Sequence, residues 1–163
     1  MDNFSITAIW RFLTWMPNFV LRKIFTKDRL SELMLVDVRP RYDYCSVQLG
    51  GTASYDIWIQ FRNLSPFTVE IDRAEIKFYC SGTTHKSVIL EKVEIEAGTV
   101  WEHRVQENIG DGQADQIAKN IENHQSAMEI TIEFNCSLHP FKHATGRLEG
   151  MKPQFVNVNQ RVA

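Results

Sequence analysis

The stretch Tyr55–Cys80, YDIWIQFRNLSPFTVEIDRAEIKFYC, decides the fold through two alternating runs and the break between them. Tyr55, Ile57, Ile59 and Phe61 alternate with Asp56, Trp58, Gln60 and Arg62. A period of two sends one row of side chains into a core and the other to a surface, as in a half-buried strand. Asn63-Leu64-Ser65-Pro66 then interrupts the run. Pro66 has no N–H to give a ladder, while Asn63 and Ser65 readily bond nearby backbone in a turn. Alternation resumes at Val69 and Ile71 and runs through Ala74, Ile76, Phe78 and Cys80, with charged residues between. Two amphipathic strands about such a break predict an antiparallel sandwich.

The rest of the chain extends this reading. Met128, Ile130, Ile132, Phe134, Cys136 and Leu138 alternate strictly with polar residues, the cleanest strand pattern in the chain. Further strands are expected around Val36 and Val38, from Tyr42 to Leu49, from Ser87 to Ile95, from Val100 to Val105 and near Phe155–Val158. Gly50-Gly51, Ser81-Gly82-Thr83-Thr84 and Ala97-Gly98 supply turns between them, and a phase slip at Tyr44/Cys45 predicts a bulge. One segment breaks the β pattern. Ala114, Ile117, Ala118 and Ile121 recur at helical spacing within 111–123, with Asp111 as the expected N-cap.

Asn63-Leu64-Ser65-Pro66-Phe67-Thr68-Val69-Glu70-Ile71 resembles the Asn-Pro-Asn-x-(Phe)-Pro-Val-x-Val turn of WHy domains (water stress and hypersensitive response), found in late embryogenesis abundant proteins. Val93–Val105, VEIEAGTVWEHRV, is similar to that family's strand–turn–strand unit, and the resemblance runs from about Leu35 to Val156. Leu64 and Thr68 stand where the family has prolines. The resemblance implies an immunoglobulin/fibronectin-III-like β-sandwich with no enzymatic activity attributed to the fold. The expected architecture is therefore mainly β, with one short helix, preceded by an N-terminal amphipathic or transmembrane helix. Two units are expected, residues 1–30 as a membrane-associating helix with a basic flank and 31–163 as the sandwich.

The overall charge of −2 hides an asymmetry. Residues 1–30 hold five basic against two acidic residues, leaving thirteen basic against eighteen acidic in the remainder. A basic head on an acidic domain suits an anionic membrane surface rather than nucleic acid, which calls for a basic patch on the folded part. Phe4–Phe25 is apolar except for a narrow stripe of Thr7, Arg11, Thr14, Asn18 and Arg22. Phe4, Ile9, Trp10, Phe12, Trp15 and Phe19 form the anchoring face, with Arg11, Arg22 and Lys23 beside headgroups. As a helix the segment would span roughly 33 Å, so an in-plane and a transmembrane placement both fit. A third placement docks it on protein. Pro17 predicts a kink or a fresh helix start. The basic residues after the apolar stretch place the sandwich on the cytoplasmic side. Ser31 is a candidate cap for a short turn that follows.

Candidate chemistry is sparse. Cys136-x-x-His139-x-x-x-His143 has ligand-like spacing and could join His85 or His103 around zinc. Cys136 on the buried phase and Pro140 between the histidines favour polar loop histidines instead, so no metal or cofactor is expected. Cys80 and Cys136 read either as buried thiols or as a disulfide. No phosphate-binding loop, dinucleotide fingerprint or nucleophile elbow is present. Trp58, on the polar phase of its strand, reads as covered by a helix or as an exposed anchor for a partner, and Trp101 is a second candidate. The expected function is a membrane-attached, non-enzymatic interaction or assembly subunit, binding lipid and either a membrane protein or a second copy of itself. The alternative is a binder of lipid or another apolar ligand in a cleft between the sheets.

Overall fold

The computed structural model describes residues 15–38, 45–122 and 126–161. Strands β3 (Ser54–Asn63) and β4 (Val69–Cys80) are the two alternating runs, each at the centre of a five-stranded sheet. One edge of β3 carries β1 (Met34–Asp37) and β2 (Cys45–Gln48) end to end, with Met34 opposite Asn63 and Cys45 opposite Ile57. Along its other edge runs β7 (Val100–Asn108), in nine consecutive antiparallel pairs. The second sheet repeats the plan. β4 is flanked on one side by β5 (Thr83–Ile89) and β6 (Val93–Ile95), and on the other by β8 (Ser126–Cys136), which β9 (Phe141–Met151) then covers. A departure from the antiparallel expectation is β10 (Gln154–Val156), which pairs in parallel with β2.

The buried rows of both sheets meet in one hydrophobic core. Tyr55 of the first sheet lies 5.3 Å from Phe78 of the second, ring to ring. Ile57, Ile59 and Phe61 are fully buried, as are Ile71, Phe78 and Ile132 across from them, each contributing roughly 1.5–3 kcal/mol by leaving water.

The break after β3 is a polar knot rather than a loose turn. The Asn63 amide nitrogen lies 2.7 Å from the carbonyl of Phe67, 3.0 Å from that of Ile95 and 3.2 Å from that of Glu96. Its amide oxygen accepts from the Ser65 backbone N–H and hydroxyl. Asn63 is wholly buried, so each of these groups needs a partner inside the protein. Ser81 and Gly82 both have positive φ, which shortens the expected four-residue turn to a two-residue hairpin.

Helix α3 (Asp111–Lys119) buries Ala114, Ile117 and Ala118, as the helical spacing predicts. Its N-cap is Gly110 rather than Asp111. Asp111 is instead the first helical residue and takes Arg161 at 2.8 Å, while Arg161 also donates to the Leu49 carbonyl at 2.7 Å. Strand β9 carries no legible pattern: it contains Gly146 and Gly150 at positive φ and slips register against β8 twice. The bulge expected at Tyr44/Cys45 falls outside the described residues.

Candidate functional site

Among the sequence-predicted anchoring residues, Phe4, Ile9, Trp10, Arg11 and Phe12 lie outside the described residues. Helix α1 (Asn18–Ile24) begins directly after Pro17, whose fixed φ of −59° and missing N–H suit a helix start. Thr26 caps the next helix, α2 (Lys27–Glu32), accepting from the Arg29 N–H at 3.4 Å. Ser31, expected as a cap, sits inside α2 instead. No helix among the described residues is long and apolar enough to cross a membrane.

These two short helices face two ways. Leu21 and Leu30 are buried, and the Phe25 ring meets Phe67 edge-on at 5.1 Å, so one side is fastened to the two-sheet body. Phe19 of α1 is 68% exposed, and Trp15, in the turn before Pro17, is 88% exposed. Arg22, Lys23, Lys27 and Arg29 are exposed along the same short segment. Asp28 and Glu32 are exposed beside Lys27 and Arg29, so the excess of positive charge lies at Arg22 and Lys23, next to the two large apolar side chains. This is an amphipathic surface suited to an apolar layer edged with negative charge.

The Cys136/His139/His143 spacing resolves into clasps for these helices. His139 Nε2 donates to the Arg22 carbonyl at 3.4 Å, and His143 Nδ1 to the Ser31 carbonyl at 2.9 Å. Burial holds His143 below the ordinary histidine range, with the Ser31 bond acting in the other direction. The Cys136 sulfur bonds the backbone of His139, closing the β8–β9 connection. No group of three or more potential ligands capable of holding a metal occurs among the described residues. The reading of loop histidines holds for His139 alone. His143 lies in β9, His103 in β7 and His85 in β5, where His85 is buried with its Nε2 at 2.8 Å from the Thr83 hydroxyl. That hydroxyl donates to the Cys80 carbonyl, so the ring nitrogen is the donor to it.

The three described cysteines are free thiols. Cys136 stands opposite Val69, while Cys80 ends the same strand eleven residues on. At ~3.3 Å per residue they are roughly 36 Å apart, which rules out the disulfide. Burial pushes the Cys45 and Cys80 thiols up, away from nucleophilic thiolate.

The two candidate tryptophans occupy opposite faces of the first sheet. Trp58 is half-buried on the outer face, with the Arg104 guanidinium 6.0 Å from its ring centre and paired to Asp56 at 2.9 and 3.0 Å through Nε. Among the described residues its cover is Arg104, from the neighbouring strand. Trp101 pairs with Phe61 on the core-facing row, its ring 5.0 Å from Phe61 and 5.0 Å from His103. A groove of 610 Å³ beside the start of α2 is lined by Lys27, Asp28, Asp72, Glu133 and Lys142, charges of both signs that include a Lys142–Glu133 pair at 2.6 Å. The exposed side of α1 and α2 is thus the strongest candidate site. The docking of α2 on β9, and of α1 beside His139 and Phe67, was not legible, since an apolar residue bound for a core and one bound for a bilayer look alike.

The fold defines a mainly β chain of two largely antiparallel sheets with few helices. No protein-family model and no curated protein matches it. Among solved structures, the chain is similar to the Northeast Structural Genomics Consortium target SoR45, at 12% identity and a TM-score of 0.52, with 78% of this chain and 93% of that one covered. It is also similar to the solution structure of a protein described as a candidate late embryogenesis abundant (LEA) protein, at 11% identity and a TM-score of 0.50, covering 91% and 88%. At these identities the likeness is one of fold.

Proposed function

We propose that this chain is a membrane-attached, non-enzymatic β-sandwich of the WHy type that works as an interaction subunit on the cytoplasmic face of a membrane. The fold likeness to an LEA-type structure and the Asn63 turn support the type. The observation that carries the attachment is Phe19 standing in water beside Arg22 and Lys23 on a helix whose Leu21 is buried, with Trp15 exposed in the turn just before it. Indole and phenyl rings enter the headgroup layer, and each nearby cation adds ~1 kcal/mol of attraction to an anionic surface. Residues 1–14 extend the apolar stretch, with Arg11 on its polar stripe. The body is held close to the lipid by the His139 and His143 clasps.

The test is co-sedimentation of the full chain with vesicles of phosphatidylserine and phosphatidylcholine, against phosphatidylcholine alone. Binding that needs the anionic lipid, weakens with salt and falls with Trp15→Ala/Phe19→Ala or Arg22→Glu/Lys23→Glu supports the reading. Indifference to all three defeats it. Retention after carbonate washing would replace the in-plane helix by a spanning one. Stoichiometric lipid in native mass spectrometry that survives those substitutions would favour the apolar-ligand reading instead.

A further inference from the structure

Of the sheet edges left unpaired among the described residues, all but one carry a device against pairing with another chain, β1 and β6 being only four and three residues long. β9 slips register twice and is packed by α2. β10 is three residues long and follows Pro153. β5 has Lys86 at its centre. Short strands, irregularity, proline and charged side chains, lysine above all, are the usual protections of an edge. β7 is neither short nor irregular and holds no proline or lysine, its charges being Glu102, Arg104 and Glu107: nine residues, VWEHRVQEN, run without a slip along β3. No strand among those described pairs with its other edge.

The ladder shows which residues face that edge. Asn63 N–H bonds the Thr99 carbonyl at 3.0 Å, and Ile109 N–H bonds the Ala53 carbonyl at 2.8 Å, at the two ends of the β3–β7 pair. Hydrogen-bonded pairs recur every second residue in an antiparallel ladder, so odd-numbered residues of β7 bond β3. The even-numbered ones, Val100, Glu102, Arg104, Gln106 and Asn108, direct their backbone N–H and C=O groups outward.

We propose that the outer edge of β7 pairs antiparallel with β7 of a second copy of this chain, about a two-fold axis at His103. Even residues must meet even residues, which puts the axis on a residue, and the most central axes are at Glu102, His103, Arg104 and Val105. The one at Val105 sets Arg104 against Gln106 and Glu102 against Asn108, with no opposite charges paired in the outward row. An axis at Arg104 sets arginine against arginine, and one at Glu102 sets glutamate against glutamate. The axis at His103 sets Glu102 opposite Arg104 of the second copy, twice over, with Trp101 opposite Val105 on the core-facing side. Opposite charges across a strand pair stabilise it and like charges destabilise it. Glu102 and Arg104 keep their partners Gln60 and Asp56 within the sheet, so the new contacts extend an existing row of charge. The two five-stranded sheets become one ten-stranded sheet. A two-fold contact is self-complementary, as this strand is. The proposal rests on the edge and does not depend on the membrane reading.

The test is the mass of the full chain in mild detergent by sedimentation across a range of concentrations. A concentration-dependent dimer is expected. Glu102→Arg alone should weaken it by about tenfold or more, and adding Arg104→Glu should restore it by swapping both charges. Gln106→Pro removes an outward N–H that β3 does not use, so it should weaken the dimer with little change in melting temperature. A monomer at every concentration overturns the proposal. So does a dimer indifferent to Gln106→Pro and to the charge changes, because that dimer is held elsewhere.

Discussion

β7 and β8 hold equivalent posts in the two sheets, and their sequences differ sharply. Each lies along nearly the full length of a central strand, across from two short strands placed end to end. β8 is covered in turn by β9 and buries Met128, Ile130, Ile132 and Phe134. β7 stands at an edge and buries only Val105, its other core-facing positions being Trp101, His103 and Glu107. The difference teaches that a strand's composition records how many neighbours it has, while its periodicity records only which way its side chains point.

Substitutions in the two strands should separate them. Phe134→Ala in β8 is expected to cost ~3–5 kcal/mol in denaturant melts, from lost burial and the cavity left behind. Val105→Ala in β7 should cost clearly less, and equal losses would break the comparison. At its start β7 is held by the Asn63 knot, since the Asn63 carbonyl and N–H bond Gly98 and Thr99 and its amide bonds Ile95 and Glu96. Asn63→Ala should cost ~2–4 kcal/mol by leaving buried carbonyls without donors. A loss under about 1 kcal/mol would mean that water replaces the amide.

Acid should act on both sheets through three histidines, one each in β5, β7 and β9. His85, His103 and His143 are each held below the ordinary histidine range by burial. The unfolded chain therefore binds more protons than the folded one below about pH 6.5, so stability is fully present above that value and falls as pH drops beneath it. The melting temperature should decline between about pH 7.5 and 5.5. Gln at His85, His103 and His143 should flatten that decline, and an unchanged slope would show that other groups control it. The smallest effect is expected at Glu133 in β8, whose outward ion pair with Lys142 is solvent-exposed. Glu133→Ala should stay within ~0.5 kcal/mol, and a larger loss would mean that β8 depends on its outer face as well.

The central strands were legible because their alternation is nearly uninterrupted, and α3 because three small or apolar residues recur at helical spacing. β9 was not, since Gly146, Gly150 and its exposed polar residues satisfy a ladder without advertising one. In the candidate site Trp15, Phe19, Arg22 and Lys23 were readable as an amphipathic stretch. That Leu21 and Phe25 turn toward protein was not, because periodicity marks an apolar face without naming what covers it. The two histidine clasps depend on contacts 117 and 112 positions apart in the chain, beyond the reach of any local pattern.

The Asn63 knot also bears on the chemical ageing of the protein. An asparagine deamidates when the N–H nitrogen of the next residue attacks its side-chain amide carbon, closing a five-membered imide. Here that nitrogen, on Leu64, is tied to the Leu33 carbonyl at 2.9 Å, and the amide itself is clamped on both sides. Conversion to aspartate would set a carboxylate against the carbonyls of Phe67, Ile95 and Glu96. The reaction is therefore confined to moments when the junction between α2 and β1 has opened. The rate at which Asn63 gains one mass unit on storage becomes a clock for that opening, readable in a single tryptic peptide.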